Sequence, residues 1–292
     1  MPSILTLSIK IECCCINQVN NLQKNHYLPN TDQISIIAAT IILTFALSGI
    51  ISIPEENIRI VFWNIYIVFS LNTQTLVMII ASILAASGSD WLIRNHPLWR
   101  KQQHTIEHWV IPLLTALVLG FLTSNLQRGL YSWLSFFLGA GFLMGILIAE
   151  YITVNPDDLR YPIAVTVLIA ISYLLFLLFC ILIRLLNYRL LFAIPGLFTA
   201  TMLVSLRSLK LRHPQGWAFT EAILISILTS QIAAALHYWP ISPLSFGLAI
   251  FGTAYALFLL IHRLQSTPSP KMAYVEPLFL LVISWILAYW LK

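Results

Sequence analysis

Asp90 and Glu150 are the two residues whose type and position point most directly to chemistry. Each lies about one helical turn before the end of a long apolar segment. A helix dipole disfavours an anion there, and lipid would raise the cost of the charge further. Such a carboxylate needs a partner. Arg94, four residues after Asp90, could pair with that acid, and Arg160 or a histidine could pair with Glu150. The pattern is compatible with either a functional site or structural ion pairing.

These two acids belong to a larger group of polar residues predicted to share one face of the molecule. That face holds most of the acidic residues and histidines of the chain. The candidates for a catalytic or binding cluster are Asp90, His104, His108, Glu150 and Asp157. A simpler interpretation explains several neighbours: Glu107 begins an apolar segment and complements a helix dipole, while Asp157 and Asp158 can cap the next segment.

His104 and His108 are weak candidates for metal ligands. The sequence His104-Thr105-Ile106-Glu107-His108 fits the inverted zinc-protease pattern H-x-x-E-H. Zinc would need a third protein ligand and a water, and no supporting motif or further histidine box follows. Asn155 to Arg160 resembles the acidic loop of membrane prenyltransferases, but only one partial motif is present, so a cap and turn is favoured. We therefore expect neither a metal nor another cofactor.

The composition is that of an integral membrane protein. Hydrophobic residues make up 59% of the 292 residues and charged residues only 9%, against about 25% charged residues in a soluble domain. The 16 basic residues are scattered rather than gathered in a stripe, which argues against nucleic-acid binding. The lipid bilayer is the partner that the composition indicates, and it identifies no protein partner.

The apolar stretches predict an all-α fold, a polytopic transmembrane helical bundle of about nine spans. A span needs about 20 mostly apolar residues and must be helical, because lipid cannot satisfy the backbone. Residues 1–33 form a polar tail, and residues 34–292 form the membrane domain. Residues 58–71 are β-branched and too short to span, which predicts an extended or interfacial segment. The predicted spans are 34–53, 73–93, 109–126, 130–154, 162–183, 189–206, 218–238, 244–262 and 275–291.

The distribution of Lys and Arg predicts the orientation of the chain. With the N-terminus inside, inner segments hold 11 of the 16 basic residues and outer segments hold 5. The positive-inside rule therefore predicts a cytoplasmic N-terminus and four hairpin loops that face the cytoplasm. The candidate cluster then lies on the cytoplasmic side.

Rows of small residues predict where helices pack closely in lipid. Gly141, Gly145 and Ala149 recur at four-residue spacing in the fourth span. The second span carries a similar row, Ala81, Ala85 and Ser89. We expect both rows to lie at helix contacts and the two spans to lie near each other.

Several motifs together resemble a known family. They are Gly88-Ser89-Asp90-Trp91-Leu92-Ile93-Arg94-Asn95-His96-Pro97, Glu107-His108-Trp109 with Pro112, Ala149-Glu150-Tyr151 with Pro156-Asp157-Asp158, and Ala235-Leu236-His237-Tyr238-Trp239-Pro240 followed by Tyr255-Ala256-Leu257. The chain resembles, over about residues 70–292, a family of bacterial multi-pass membrane proteins catalogued only as a domain of unknown function. The resemblance implies a bacterial cytoplasmic membrane protein and no particular activity.

Three hypotheses of function follow. The leading one is a non-enzymatic membrane protein that binds a small molecule or lipid, or acts as an assembly component. The second is a membrane-embedded enzyme that acts on a lipid head group at the cytoplasmic face through the candidate cluster. A transporter of an uncharged solute is the third, and the absence of charges at span midpoints disfavours ion-coupled transport. A pocket where the acids and histidines converge would favour the enzyme.

Overall fold

The computed structural model describes residues 31–47, 56–62, 65–71, 73–97, 105–125, 130–213, 216–266 and 270–291. These residues form nine α-helices, a 3-10 turn and one two-stranded sheet. The helices are α1 Thr31–Leu47, α2 Thr73–Arg94, α3 Val110–Asn125, α4 Leu130–Ile152, α5 Tyr161–Leu185, α6 Leu190–Arg212, α7 Phe219–His237, α8 Pro243–Ser266 and α9 Pro270–Trp290, and the 3-10 turn is Ile106–His108.

Every helix overlaps one of the nine predicted apolar stretches, which confirms the prediction of an all-α bundle. Six helices, α2 and α5 to α9, are long and apolar enough to cross a membrane. The others are apolar over shorter lengths, Thr31–Thr44, Ile106–Leu122 and Phe137–Ile152. In a helix the backbone groups pair within their own segment, as lipid requires. The fold is therefore a helical bundle with the composition of a membrane protein.

The segment 58–71 belongs to a β-hairpin rather than to a span, as predicted. Strand β1, Glu56–Phe62, pairs with strand β2, Ile65–Leu71, in antiparallel register. The pairs run from Glu56 opposite Leu71 to Phe62 opposite Ile65. β-branched residues favour this pleated backbone. Helices α1 and α2, which precede and follow the hairpin in the sequence, both contribute side chains to one buried cluster.

The buried side chains form two clusters. The larger one gathers residues of α3 to α8 and contains the fully buried rings of Tyr173, Phe176, Phe246 and Phe258. The smaller one joins α1, α2, α3 and α4, with Ala85 and Tyr151 among its members. The second cluster confirms that the second and fourth spans lie close together. Outward faces carry large apolar side chains, as a lipid-facing surface requires.

The two rows of small residues behave differently. Ala81, Ala85 and Ser89 of α2 are all fully buried, as predicted. In α4, a Cβ atom added at Gly141 or Gly145 would meet no described atom within 4 Å. The prediction of a close contact at these two glycines is therefore wrong, because α4 packs through the adjacent face that carries Leu143 and Leu147 instead.

Helix α6 extends further than predicted. The predicted span ended at residue 206, which left Arg207, Lys210 and Arg212 in a loop. The helix continues to Arg212, and the side chain of Arg207 is only 2% exposed. The assignment of Arg207 to a loop was wrong. The additional turns carry its charge into the packed end of the bundle.

Candidate functional site

A network of buried charged residues lies where one end of α4 and one end of α6 meet the turn before α3. Glu150 lies in the last turn of α4, and Arg207 lies about one turn before the end of α6. Glu107 and His108 come from the 3-10 turn. Glu150 is 1% exposed and His108 is 8% exposed. Ionisable groups buried in a membrane protein are costly, so each one calls for a partner or a role.

Glu150 is the centre of this network. Its Oε2 atom lies 2.7 Å from Nδ1 of His108 and accepts a hydrogen bond from Nη2 of Arg207. The same Nη2 atom lies 3.1 Å from Nδ1 of His108. A carboxylate only accepts and a guanidinium only donates, so the contact with Glu150 suits the tautomer with a proton on Nδ1, and the contact with Arg207 suits the other. The two contacts together hold the histidine ring in one orientation.

A second carboxylate closes the network on its more exposed side. Glu107 Oε2 lies 3.9 Å from Arg207 Nη1 and 3.8 Å from Lys210 Nζ. Lys210 Nζ in turn lies 5.5 Å from the centre of the Trp217 ring, a cation–π distance. Two carboxylates thus face two cations. This balance is what allows the charges to stay buried, because an unpaired one would lack compensation for its lost hydration.

Two buried polar atoms of the network make no hydrogen bond among the described residues. They are Oε1 of Glu150 and Nε of Arg207. One is an acceptor and the other is a donor. Leaving such atoms unsatisfied costs about 1–3 kcal/mol each. The network can therefore bind one more polar group. This capacity is compatible with a chemical role for the site.

Asp90 forms a separate pair near this network. Its Oδ2 atom lies 2.6 Å from Nε of Arg94, four residues later in α2. Its Oδ1 atom accepts a hydrogen bond of 3.2 Å from Nε1 of Trp109. The proposed pairing of Asp90 with Arg94 is thus present, and Glu150 pairs with a histidine, not with Arg160.

The remaining candidates do not join the network among the described residues. Asp157 is exposed in the turn before α5, where its backbone N–H donates to Asn155 Oδ1 at 3.2 Å. His104 lies outside the described residues. The structure thus brings His108 and Glu150 into contact, places Asp90 beside them with its own partner, and leaves Asp157 apart.

Three residues of the network were not among the sequence candidates: Arg207, Lys210 and Glu107. Arg207 and Lys210 are three residues apart and share a helix face. That spacing, directly after an apolar run, is a sequence signal for a helix that continues with a cationic face. The sequence explains Glu107 by its favourable interaction with the helix dipole. Its position next to His108 is the sequence feature that indicates membership of the same site.

The network does not resemble a metal centre. No group of three or more His, Cys, Asp or Glu side chains within the described stretches could hold a metal ion. Nδ1 of His108, the ring nitrogen that contacts Glu150, also lies 3.1 Å from Nη2 of the Arg207 guanidinium. A fixed positive charge at this position repels a cation. Nε2 of His108 faces Glu107 Oε1 at 3.8 Å.

His96 lies beside this end of the bundle, just after α2, and is predicted to make stability depend on pH. It is 4% exposed, and its ring centre lies 4.5 Å from that of Tyr151. Burial lowers the pKa of His96 below its ordinary value. The unfolded chain then binds a proton at higher pH than the folded one, so stability falls as pH drops below about 6.5.

The measurement is the unfolding temperature in one detergent between about pH 7.5 and about pH 5.5, for wild type and for His96→Gln. Each pH unit of full linkage corresponds to about 1.4 kcal/mol. We expect the wild type to lose more stability on acidification than the variant does. Equal losses in the two proteins would show that His96 is not the group responsible.

An apolar cavity lies at the opposite end of the bundle, between the ends of α7, α8 and α9. Its volume is about 210 Å³. The lining consists of Leu236, Trp239, Ile241, Ser245, Ala249, Trp285, Ala288 and Tyr289. Exposed aromatic side chains surround it: Tyr238, Trp239, Tyr289 and Trp290 are each more than half exposed. Tyrosine and tryptophan concentrate at the level of lipid head groups, so this end has the character of a membrane interface.

The fold and these two sites define the chain as a helical membrane protein. The chain belongs to the family described as "Protein of unknown function (DUF5656)", whose model matches residues 53–291. This confirms the resemblance to a family of unknown function. Comparison with curated proteins and with solved structures found no match.

Proposed function

We propose that this protein is a non-enzymatic membrane component that binds the hydrocarbon chain of a lipid in the cavity between α7, α8 and α9. The observation that carries the proposal is the cavity of about 210 Å³ with its apolar lining. A cavity of about 150 Å³ lined by aliphatic and aromatic residues binds benzene in another protein. The larger volume here accommodates several methylene groups.

The hydrogen bonding of the polar groups at the cavity favours the hypothesis of an apolar ligand. The hydroxyl of Ser245 is within 2.8 Å of the hydroxyl of Ser242. The indole N–H of Trp285 donates to Thr253 Oγ1 at 3.2 Å. These two polar lining groups have partners inside the protein, and the other two, the Trp239 indole N–H and the Tyr289 hydroxyl, belong to exposed side chains. What the lining offers is apolar surface, and burying that surface is worth about 25 cal/mol per Å².

Filling the cavity tests the proposal. In liposomes of phosphatidylcholine with a photoreactive acyl chain, irradiation should label the wild type on the segments that line the cavity. Ala288→Trp places an indole in that space and should reduce this labelling by about tenfold, which corresponds to about 1.4 kcal/mol. Ala170→Trp, on the exposed face of α5, is the matched control and should label normally. Equal labelling of all three proteins at these segments would overturn the proposal.

An enzyme acting on a lipid head group is the second candidate, and one observation favours it. The 2.7 Å contact between His108 and Glu150 is the arrangement by which a carboxylate orients a histidine for proton transfer. The two unsatisfied atoms, Glu150 Oε1 and Arg207 Nε, could receive a polar substrate group. Against it, both carboxylates already face cations. The stability of Arg207 variants separates the two functions.

We also propose a bacterial cytoplasmic membrane as the location, with the N-terminus in the cytoplasm. The excess of Lys and Arg at one side of the predicted spans, in loops and at helix ends, supports this orientation. The charged network would then lie near the cytoplasmic surface, and the apolar cavity would open toward the outer leaflet.

A further inference from the structure

We infer that the cavity selects an anionic glycerophospholipid, with the phosphate bound at Arg184 and one acyl chain in the cavity. This inference rests on the proposed function and adds the class of head group. Arg184 lies in the last turn of α5, and its guanidinium donates to the carbonyl oxygens of His237 and Trp239. Trp239 also lines the cavity. The cation is thus separated from the cavity by a single residue.

Arg184 has donors to spare. A guanidinium carries five N–H donors in a planar fork. Nη1 and Nη2 of Arg184 each use one N–H on a carbonyl, and Nε makes no hydrogen bond within the described residues. The ring of Phe246 lies 5.7 Å from the guanidinium carbon. Two carbonyls and an aromatic face hold the group in place, and a held arginine suits phosphate recognition.

The electrostatic surroundings favour an anion. Residues 171–200 around Arg184 contain no Asp or Glu, and neither do residues 231–250 and 281–292, which hold the ends of α7 and α9 and the start of α8. Arg189, exposed at the start of α6, adds a second positive charge. No carboxylate in these segments competes for Arg184, so a phosphate is the complementary partner.

The depth of these groups matches the parts of a phospholipid. The exposed aromatic residues around the cavity mark the level of the head groups. Arg184 lies at that level, because it bonds the carbonyl of Trp239 in the same ring of residues. Ala249 lines the cavity six residues after the start of α8, further into the bundle than the exposed aromatic residues. A phosphate at Arg184 therefore places the attached chain at the cavity.

The test compares lipids with the same chains and different head groups. Purified protein in a neutral detergent is titrated with dioleoyl phosphatidylglycerol and with dioleoylglycerol, which lacks phosphate. We expect the wild type to bind phosphatidylglycerol about tenfold more tightly, as one charge-assisted interaction allows. Arg184→Gln should abolish this difference. Arg160→Gln, which removes an exposed arginine just before α5 at the opposite end of the bundle, is the matched control and should keep it.

Two further variants separate the possible failures. Ala288→Trp should weaken both lipids, and if it does so while Arg184→Gln leaves the preference intact, the lipid-binding function stands and the head-group inference is overturned. Arg184→Lys keeps the charge and should keep a preference for phosphatidylglycerol. Equal loss of both lipids in Arg184→Lys and Arg184→Gln would show that Arg184 only anchors the end of α7, which also overturns the inference.

Discussion

Replacing Arg207 by methionine is expected to lower the free energy of unfolding by about 3–5 kcal/mol. The guanidinium is 2% exposed and pairs with Glu150, which is 1% exposed. Without it, Glu150 keeps its contact with His108, and Glu107 keeps Lys210 and the longer contact with His108. A buried carboxylate then loses its main compensation for the hydration that it gave up on folding. Unfolding by sodium dodecyl sulfate in mixed micelles measures the change.

Two comparisons make this result specific. Arg263→Met breaks an ion pair with Glu276 in which both side chains are nearly half exposed, and we expect it to cost at most about 1 kcal/mol. The double variant Glu150→Leu with Arg207→Met removes both charges and should recover most of the loss, because apolar pairs replace buried ion pairs well.

An unchanged or increased stability of Arg207→Met would contradict this structural role. Residues kept for function are often a burden on stability, so their removal tends to stabilise a protein. That outcome would favour the enzymatic alternative, with Glu150 and His108 as its reacting groups. A loss of stability, recovered in the double variant, would instead support a structural network and the non-enzymatic function.

The substitution Gly252→Ala is expected to destabilise the protein by about 1–3 kcal/mol. Gly252 lies in α8, and a Cβ atom there would overlap Oγ and Cβ of Ser284 in α9. Ser284 is 8% exposed and has little room to move. The two helices would have to separate, which would also strain the hydrogen bond between Trp285 and Thr253.

Rescue by a second substitution identifies the overlap as the cause. Ser284→Gly removes both overlapping atoms, and combined with Gly252→Ala it should restore most of the lost stability in the same mixed-micelle assay. Gly141→Ala is the control, because a Cβ there meets no described atom within 4 Å. It should be neutral or stabilising by up to about 1 kcal/mol, since alanine favours a helix. A loss in Gly141→Ala equal to that in Gly252→Ala would contradict the explanation.

The site was predicted from the sequence only where its contacts are local. Asp90 and Arg94 are four residues apart, and helix geometry alone brings such residues together. Glu150 and Arg207 are separated by 57 residues, and their contact depends on how α4 and α6 pack. The sequence identified Glu150 as an acid in need of a partner. It offered a histidine as one possible partner, which His108 is, but it did not identify Arg207, because the predicted span ends before that residue.

The helices themselves follow from the amino-acid sequence, because lipid leaves an apolar segment of sufficient length only one way to pair its backbone. The overlap of all nine helices with apolar stretches has this cause. Which faces meet is a different matter. Lipid tails are as apolar as the side chains, so helix contacts are selected by shape and by polar partners rather than by hydrophobicity. For this reason Gly252 fits against Ser284, whereas a Cβ atom at Gly141 or Gly145 would meet no described atom within 4 Å, and only the tertiary structure distinguishes them.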